Sequence, residues 1–161
     1  MSGLRVVVIT CSDSRFAGTA EDTAGPALRA ECERLGFEVV AVAIVPDEFS
    51  AIRDAIVSAA DEAAADVILT TGGTGLGPRD VTPEATLAAC DRVAPGIAEA
   101  IRAGSMAITC RAMLSRGVAA VRKTTLAINL PGSRKGALES LGLVADQLEH
   151  AVAMMRGGGH D

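Results

Sequence analysis

The stretch Thr70-Thr71-Gly72-Gly73-Thr74-Gly75-Leu76-Gly77-Pro78-Arg79-Asp80-Val81-Thr82-Pro83-Glu84 follows directly on the apolar run 67–69. Its four glycines within six residues allow positive φ angles and a close approach of a ligand to the backbone. Successive N–H groups in such a turn can form an anion-binding concavity. Thr82 as N-cap and Pro83 as the first helical residue predict that a helix begins here. A strand, a glycine loop, the acid Asp80 and a helix start together indicate a phosphate-handling site.

Strand and helix patterns alternate on both sides of this loop. Buried, β-branched runs predict strands at 6–10, 37–45 and 66–71, while 117–121 and 125–129 either pair as a hairpin or continue the sheet. Apolar residues at helical spacing predict helices from 23–26 to 36, and at 48–65, 83–92, 96–104 and about 135–155. This alternation predicts an α/β fold of three layers, α/β/α, with a mostly parallel sheet and a short hairpin.

Length, charge and aromatic content exclude several classes of protein. The 161 residues are expected to form one domain over 1–156, followed by a flexible C-terminal tail at 157–161. The net charge of −5 and the absence of Trp and Tyr argue against nucleic acid as a partner. The apolar runs are far shorter than a membrane span, and the first residues lack the pattern of a secretory signal. We therefore expect a cytoplasmic protein with no membrane contact.

The cysteines Cys11, Cys32, Cys90 and Cys110 are widely spaced and form no Cys-x-x-Cys pair. A disulfide framework or a zinc site is therefore not expected. Buried free thiols in a reducing compartment are the simpler interpretation.

Polar residues follow four of the predicted strands at the point where each strand ends. They are Ser12-Asp13-Ser14, Asp47-Glu48, the segment from Gly72 to Asp80, and Pro131-Gly132-Ser133. Parallel strands place their carboxyl ends on one edge of the sheet, where ligands bind in open α/β folds. The sequence therefore predicts that these four loops form one ligand site.

Three common site types do not match these residues. Gly73-Thr74-Gly75-Leu76-Gly77 is not the Gly-x-Gly-x-x-Gly of a dinucleotide site, and no Gly-Lys-Ser/Thr follows Gly72 as in a Walker A loop. The chain also lacks the Gly-x-Ser-x-Gly turn of serine hydrolases. The glycine loop therefore matches none of these three site types.

The segments 71–75 and 78–86 together resemble the signature of the molybdenum cofactor biosynthesis proteins of the MogA/MoaB type, which include the gephyrin G domain. Further matching segments occur in the same order along nearly the whole chain: 12–14, Asp22 with Gly25-Pro26, 45–48, 113–117 and 128–133. The chain departs from the family pattern at Ala24, where Ser is common, and at 119–123, where Ala-Gly-Ile-Arg-Gly is more usual. Neither departure affects the acids or the glycine loop.

The resemblance implies a MogA/MoaB-like fold and a stand-alone molybdopterin adenylyltransferase, usually a trimer. Such an enzyme uses Mg-ATP to adenylate the terminal phosphate of molybdopterin and releases pyrophosphate. Its product would then pass to the enzyme that inserts molybdate. The alternative is a carrier or scaffold of the MoaB type that binds molybdopterin or nucleotide without catalysis.

The resemblance also assigns roles to residues of this chain. Asp47 and Asp80 match the family's catalytic acids, and we expect them to hold Mg²⁺ from the ends of two neighbouring strands. For each acid the alternative is a plain helix-start residue. Candidate contacts to nucleotide or molybdopterin are Ser12, Asp13, Ser14, Thr71, Gly72, Gly73, Thr74, Gly75, Arg79, Ser115, Pro131, Gly132 and Ser133. For these residues the alternatives are a tight strand-to-helix turn or an ordinary polar loop.

Overall fold

Six strands form a single sheet in the computed structural model, which describes residues 3–158. The strands are β1 (Arg5–Cys11), β2 (Glu38–Val45), β3 (Val67–Thr71), β4 (Arg92–Val93), β5 (Ala119–Arg122) and β6 (Thr125–Leu130). Their order in the sheet is β2-β1-β3-β6-β5-β4. β1, β2, β3 and β6 are parallel, whereas β5 pairs antiparallel with both β6 and β4. The segments 117–121 and 125–129 thus give a hairpin that also extends the sheet.

Helices cover both faces of the sheet. They are α1 (Asp13–Phe16), α2 (Ala24–Arg34), α3 (Phe49–Asp61), α4 (Thr82–Ala89), α5 (Pro95–Met106), α6 (Arg134–Val144) and α7 (Leu148–Met155). Side chains alternate across a strand, so Val6 and Val8 pack with α2, α5, α6 and α7, while Val7 and Ile9 pack with α3 and α4. The predicted three-layer α/β/α fold with a mostly parallel sheet is confirmed. No helix within residues 3–158 has the length and apolarity needed to span a bilayer.

Several predicted boundaries were wrong. The predicted helix 83–92 ends at Ala89, because Arg92 and Val93 pair with the open edge of β5. The single helix expected over about 135–155 is interrupted by a 3-10 turn at Ala145–Gln147, and this turn keeps Val144 and Leu148 buried against the same layer. The ambiguous segment 106–115 contains a second 3-10 helix, Cys110–Leu114.

Two further predictions concern the C-terminal tail and the cysteines. Gly157 and Gly158 donate their N–H groups to carbonyls of the last turn of α7, and residues 159–161 of the predicted tail lie outside the described residues. All four cysteines are free thiols, as expected. Cys11 and Cys32 are buried, but Cys110 is exposed, so the expectation of burial fails there.

Asp47 and Asp80 do not follow neighbouring strands of the sheet, so the expectation that they do is wrong. β1 lies between β2, which precedes Asp47, and β3, which precedes the loop of Asp80. The loop after β3 must therefore cross the end of β1 to approach Asp47.

A buried polar network lies under this edge of the sheet. The Asn129 side chain, only 4 % exposed, donates to the hydroxyls of Thr70 and Thr86, each at 2.9 Å, and accepts the N–H of Val118 at 3.1 Å. Each buried polar group that loses its partner costs about 1–3 kcal/mol. The network therefore fixes the β3–β6 pair to α4 and to the start of β5.

Asn129→Ala is expected to lower the free energy of unfolding by about 2–3 kcal/mol, because it leaves buried partners of Asn129 unsatisfied. Urea unfolding measures this change. Thr19→Ala, which removes one exposed hydrogen bond, is the control and should change stability by less than about 0.5 kcal/mol. Equal effects of the two substitutions would contradict the role assigned to the network.

Candidate active site

The predicted site residues all lie at the carboxyl edge of the parallel strands. The loops after β3 and β6 are in direct contact there, since the Thr71 hydroxyl donates to the carbonyl of Pro131 at 2.6 Å. A Cβ atom built on Gly132 would lie 3.3 Å from the Cα atom of Gly72. Thr71 is 1 % exposed, so its side chain joins the two loops rather than facing a ligand.

Asp13 and Asp47 hold each other in place at the ends of β1 and β2. The Asp13 N–H donates to Oδ2 of Asp47 at 2.9 Å, and the Asp47 N–H donates to Oδ1 of Asp13 at 2.9 Å. Arg79 completes the cluster with two hydrogen bonds to the Asp13 carboxylate, at 2.9 and 3.0 Å. The Arg79 guanidinium also keeps the pKa of Asp13 below its ordinary value. Both Asp13 oxygens are therefore engaged within the protein, and Asp13 orients Asp47.

The second oxygen of Asp47 faces the glycine loop without a partner. Asp47 Oδ1 and Thr82 Oγ1 are both buried and make no hydrogen bond within the described residues. A Cβ atom on Gly73 would lie 2.2 Å from Thr82 Oγ1 and 3.2 Å from Asp47 Oδ1, so only glycine leaves this space open. Burial raises the pKa of Asp47, and the charges of Asp13 and Asp80 raise it further. The site thus maintains an acceptor that a cation would satisfy.

Thr82 is not the N-cap that the sequence predicted. The N-cap of α4 is Val81, and Thr82 is the first helical residue. Its hydroxyl therefore does not cap the helix but faces Gly73. Sequence reasoning missed Thr82 as a site residue because Thr before Pro is also typical of a helix start.

Asp80 combines a local structural role with proximity to Asp47. Its Oδ2 atom accepts the N–H of Gly77 at 2.8 Å, which closes the turn of the glycine loop. Cβ atoms on Gly75 and Gly77 would lie 2.8 and 2.9 Å from the same oxygen. The glycines therefore allow the loop to fold closely around this carboxylate. The charge of Asp80 also contributes to the raised pKa of Asp47, after burial and the charge of Asp13.

A cavity of about 280 Å³ opens on the other side of the glycine loop, between α5 and α6. Of the predicted site residues, Thr74, Gly75, Ser115, Pro131 and Ser133 line it. The sequence did not indicate Ser140, which also lines the cavity and is 1 % exposed, with an Oγ atom that has no hydrogen-bond partner among residues 3–158. The lining of this cavity combines several hydroxyl groups with apolar side chains, Arg111 and Glu139.

Three candidate serines also have local roles. Ser12 caps the one-turn helix α1 through the N–H of Arg15, and its Oγ lies 3.2 Å from that of Ser14. Ser133 caps α6 by accepting the N–H of Gly136 at 3.1 Å. Ser115 accepts the N–H of Gly117 at 3.2 Å. A hydroxyl that accepts one such bond can still donate to a ligand, so a capping role and a binding role are compatible.

The site fits a magnesium ion better than a metal held by protein groups alone. Within residues 3–158, no three His, Cys, Asp or Glu side chains converge on one point. Mg²⁺ is usually held by one or two carboxylates together with substrate phosphates and water. The unpartnered, buried Oδ1 of Asp47 next to the glycine loop matches that requirement.

Comparison with known proteins places the chain in a family. The profile of a family described as "probable molybdopterin binding domain" matches residues 7–150. The chain belongs to this family. Its members include proteins whose sequences and solved structures align with almost all of this chain.

Three relatives illustrate the match. The molybdopterin adenylyltransferase of Escherichia coli (strain K12) is 39% identical over 149 residues, which cover 91% of this chain and 76% of that protein. The crystal structure of the molybdopterin biosynthesis enzyme MoaB from Thermus thermophilus has a TM-score of 0.90 and 48% identity, covering 96% of this chain and 97% of that one. The tungsten cofactor synthesizing protein MoaB from Pyrococcus furiosus has a TM-score of 0.88 and 30% identity, covering 97% and 99%.

Proposed function

We propose that this protein is a molybdopterin adenylyltransferase that transfers AMP from Mg-ATP to the terminal phosphate of molybdopterin and releases pyrophosphate. One observation carries the proposal: the carboxylate of Asp47 is fixed by Asp13 through one oxygen and directs the other, buried and unpartnered, at the glycine loop. The relative from Escherichia coli bears the name of this activity.

The reaction requires two anions to meet. An oxygen of the terminal phosphate of molybdopterin forms a bond to the α-phosphorus of ATP, and the bond from that phosphorus to the β-phosphate oxygen breaks. Enzymes accelerate such transfers by holding the reactants in line and stabilising their charge. In this protein the backbone N–H groups of 73–75 would hold nucleotide phosphate, as such loops do for anions. The Gly72 N–H, also expected to do so, instead donates to the carbonyl of Leu130 at 3.2 Å.

The acids Asp47 and Asp80 would hold Mg²⁺ against those phosphates. The ion, when bound, would neutralise phosphate charge and so permit the approach of the second anion. Asp13 contributes by orienting Asp47, and Arg79 contributes by orienting Asp13. The cavity at Thr74, Ser115 and Ser133, which Arg111 also lines, is on the other side of the loop and is large enough for part of a second ligand.

The geometry at Asp47 favours a site that binds a cation. Burial and the charges of Asp13 and Asp80 raise the pKa of Asp47 and so disfavour its charged form in the free protein. Such a group is costly in the free protein and useful when a cation joins it. A carrier of Mg-ATP would use the same carboxylate, so catalysis over binding alone is supported by the relatives that are named molybdopterin adenylyltransferase.

An assay with purified protein tests the proposal. Mg-ATP and molybdopterin are expected to yield adenylylated molybdopterin and one pyrophosphate per turnover, measured by mass spectrometry and a coupled phosphate assay. Omission of Mg²⁺ or of molybdopterin is the control and should abolish pyrophosphate release. Binding of both ligands without pyrophosphate release would support the carrier role instead.

We further propose that the enzyme is a cytoplasmic homotrimer that passes its product to the molybdate-inserting enzyme. An exposed apolar groove between α5 and the α6–α7 region, lined by Ile97, Leu143 and Met154, supports association of copies through this face. Sedimentation equilibrium would give the number of subunits.

A further inference from the structure

Arg116 lies against the glycine loop although it comes from a distant part of the chain. It follows the 3-10 helix Cys110–Leu114 and precedes β5. Its backbone N–H donates to the carbonyl of Thr74 at 2.8 Å. This bond places the Arg116 side chain beside the loop that we assign to phosphate binding.

The guanidinium of Arg116 contacts the loop at several points. Its Nε atom donates to the carbonyl of Gly75 at 2.8 Å, and Nη2 donates to the carbonyl of Asp80. Nη1 forms an ion pair with Glu84 in the first turn of α4. One side chain therefore joins the middle of the loop, its acidic end and the helix that follows.

A second arginine holds the segment that carries Arg116. Arg102, on α5, donates through Nη1 to the carbonyl of Gly117 at 2.7 Å and to that of Ser115 at 3.4 Å. The carbonyls on both sides of Arg116 are thus attached to α5. The position of Arg116 is therefore set by α5 as well as by its backbone bond to Thr74 in the loop.

We propose that Arg116 is a positioning residue that fixes the conformation of the glycine loop before a ligand binds. The loop is rich in glycine, so it loses much conformational entropy when it is ordered. Charge-assisted hydrogen bonds from Arg116 offset that loss in the free protein. A loop that is already ordered binds its ligand more tightly, because the ligand does not have to order it.

The geometry explains why arginine and not lysine occupies this position. The acceptors on Gly75, Asp80 and Glu84 lie around one planar group. A guanidinium presents five N–H donors in a fixed fork, whereas the lysine ammonium is a point charge on a flexible stem. Lysine can keep the ion pair with Glu84 but cannot hold both loop carbonyls.

Amide hydrogen exchange in the free protein tests this role without any substrate. The reporters are three amides whose N–H groups form hydrogen bonds within the loop or at its end. The Gly77 N–H donates to the Asp80 carboxylate, the Asp80 N–H to the Gly77 carbonyl, and the Thr82 N–H to the Gly73 carbonyl. Arg116→Met is expected to speed their exchange about tenfold, the effect of losing roughly 1.4 kcal/mol of charge-assisted bonding. Arg116→Lys should give an intermediate increase.

Two controls make the result decisive. Arg29→Met removes an exposed ion pair with Glu33 on α2 and should leave loop exchange unchanged. Amides of β1 and β3 report on the stability of the whole fold, and they should not change in the Arg116 variants. Unchanged loop exchange, or an equal increase throughout the sheet, would overturn the proposal.

The inference rests on the proposed function only for its consequence in ligand binding. The dissociation constant for Mg-ATP should rise about tenfold in Arg116→Met and less in Arg116→Lys. If the wild-type protein failed to bind Mg-ATP, the proposed function would fail, but the exchange result would still decide whether Arg116 orders the loop.

Discussion

Asp47→Asn is expected to lower the rate of adenylyl transfer at least about a hundredfold, because it removes roughly 3 kcal/mol of charge stabilisation in the transition state. The Asp13 N–H must still find an acceptor, so the amide oxygen of the substituted side chain would take the place of Oδ2. The NH₂ group would then replace Oδ1 and present a donor to the space beside Gly73. A cation cannot use a donor, so the substitution should act on the metal and not on the fold.

The stability of this variant separates the two roles considered for Asp47. A carboxyl group whose pKa is raised on folding costs stability at any pH above its unfolded pKa, and this cost is complete above the folded pKa. The pKa of Asp47 is raised mainly by burial, so Asp47→Asn should leave the free energy of unfolding at pH 7 unchanged or slightly higher. A helix-start residue also tolerates Asn, but it would not lose activity.

Asp54→Asn, on the exposed surface of α3, is the matched control and should retain both activity and stability. Rates measured over a range of Mg²⁺ concentrations provide the second readout. Asp47→Asn should require more Mg²⁺ for half-maximal activity. Full activity of Asp47→Asn at ordinary Mg²⁺ concentration would rule out the metal role.

The sequence predicted the architecture well because the relevant signals are local. Continuous β-branched runs identify buried parallel strands, and the glycine loop between a strand and a helix marks the carboxyl edge. Both features depend on residues that are adjacent in the chain. They sufficed to predict three layers, a mostly parallel sheet and the convergence of four loops.

Relations between distant segments were harder to predict. The position of β1 between β2 and β3 depends on the direction of two crossovers and leaves no mark on the residues near Asp47 or Asp80. Arg92 and Val93 form a strand only because β5 offers an unpaired edge. Their own sequence continues a helical pattern, so tertiary pairing outweighed local preference.

In the candidate site, too, local signals identified some residues but not those that are placed by contacts between distant segments. Asp47, Asp80 and the glycines stand out by residue type and by position after a strand. Arg116 lies in the matching segment 113–117, but its contacts with the glycine loop are between segments distant in the chain, and a serine within a helix, such as Ser140, is usually solvent-facing. Only the folded chain brings Arg116 to the loop and leaves the Ser140 hydroxyl buried at the cavity.

Two unpaired polar atoms near Gly73 lower the stability of the free protein. Asp47 Oδ1 and Thr82 Oγ1 are buried without partners, within residues 3–158, in an otherwise well-bonded edge of the sheet. Each such atom costs about 1–3 kcal/mol. Gly73, with φ +70°, preserves the space between them where a side chain would close it. The proposed site is therefore costly in the free protein and is expected to gain stability when Mg-ATP binds.

Gly73→Ala is accordingly expected to damage both the fold and the candidate site. The new Cβ atom would lie 2.2 Å from Thr82 Oγ1, far inside contact distance, and would occupy the space beside Asp47. The positive φ adds a cost of about 1–2 kcal/mol and the overpacking adds about 1–3 kcal/mol. We expect a total loss of about 2–5 kcal/mol in the free energy of unfolding, together with loss of Mg-ATP binding.

Gly18→Ala isolates the backbone part of this effect. Gly18 has a similar φ of +76°, but a Cβ atom there would meet nothing within 4 Å. Gly18→Ala should therefore cost only about 1–2 kcal/mol and leave Mg-ATP binding intact. In a double-mutant cycle, Thr82→Ala should restore part of the stability lost in Gly73→Ala, because it removes the clashing hydroxyl. Equal losses for Gly73→Ala and Gly18→Ala would show that the space beside Asp47 is not held open by glycine.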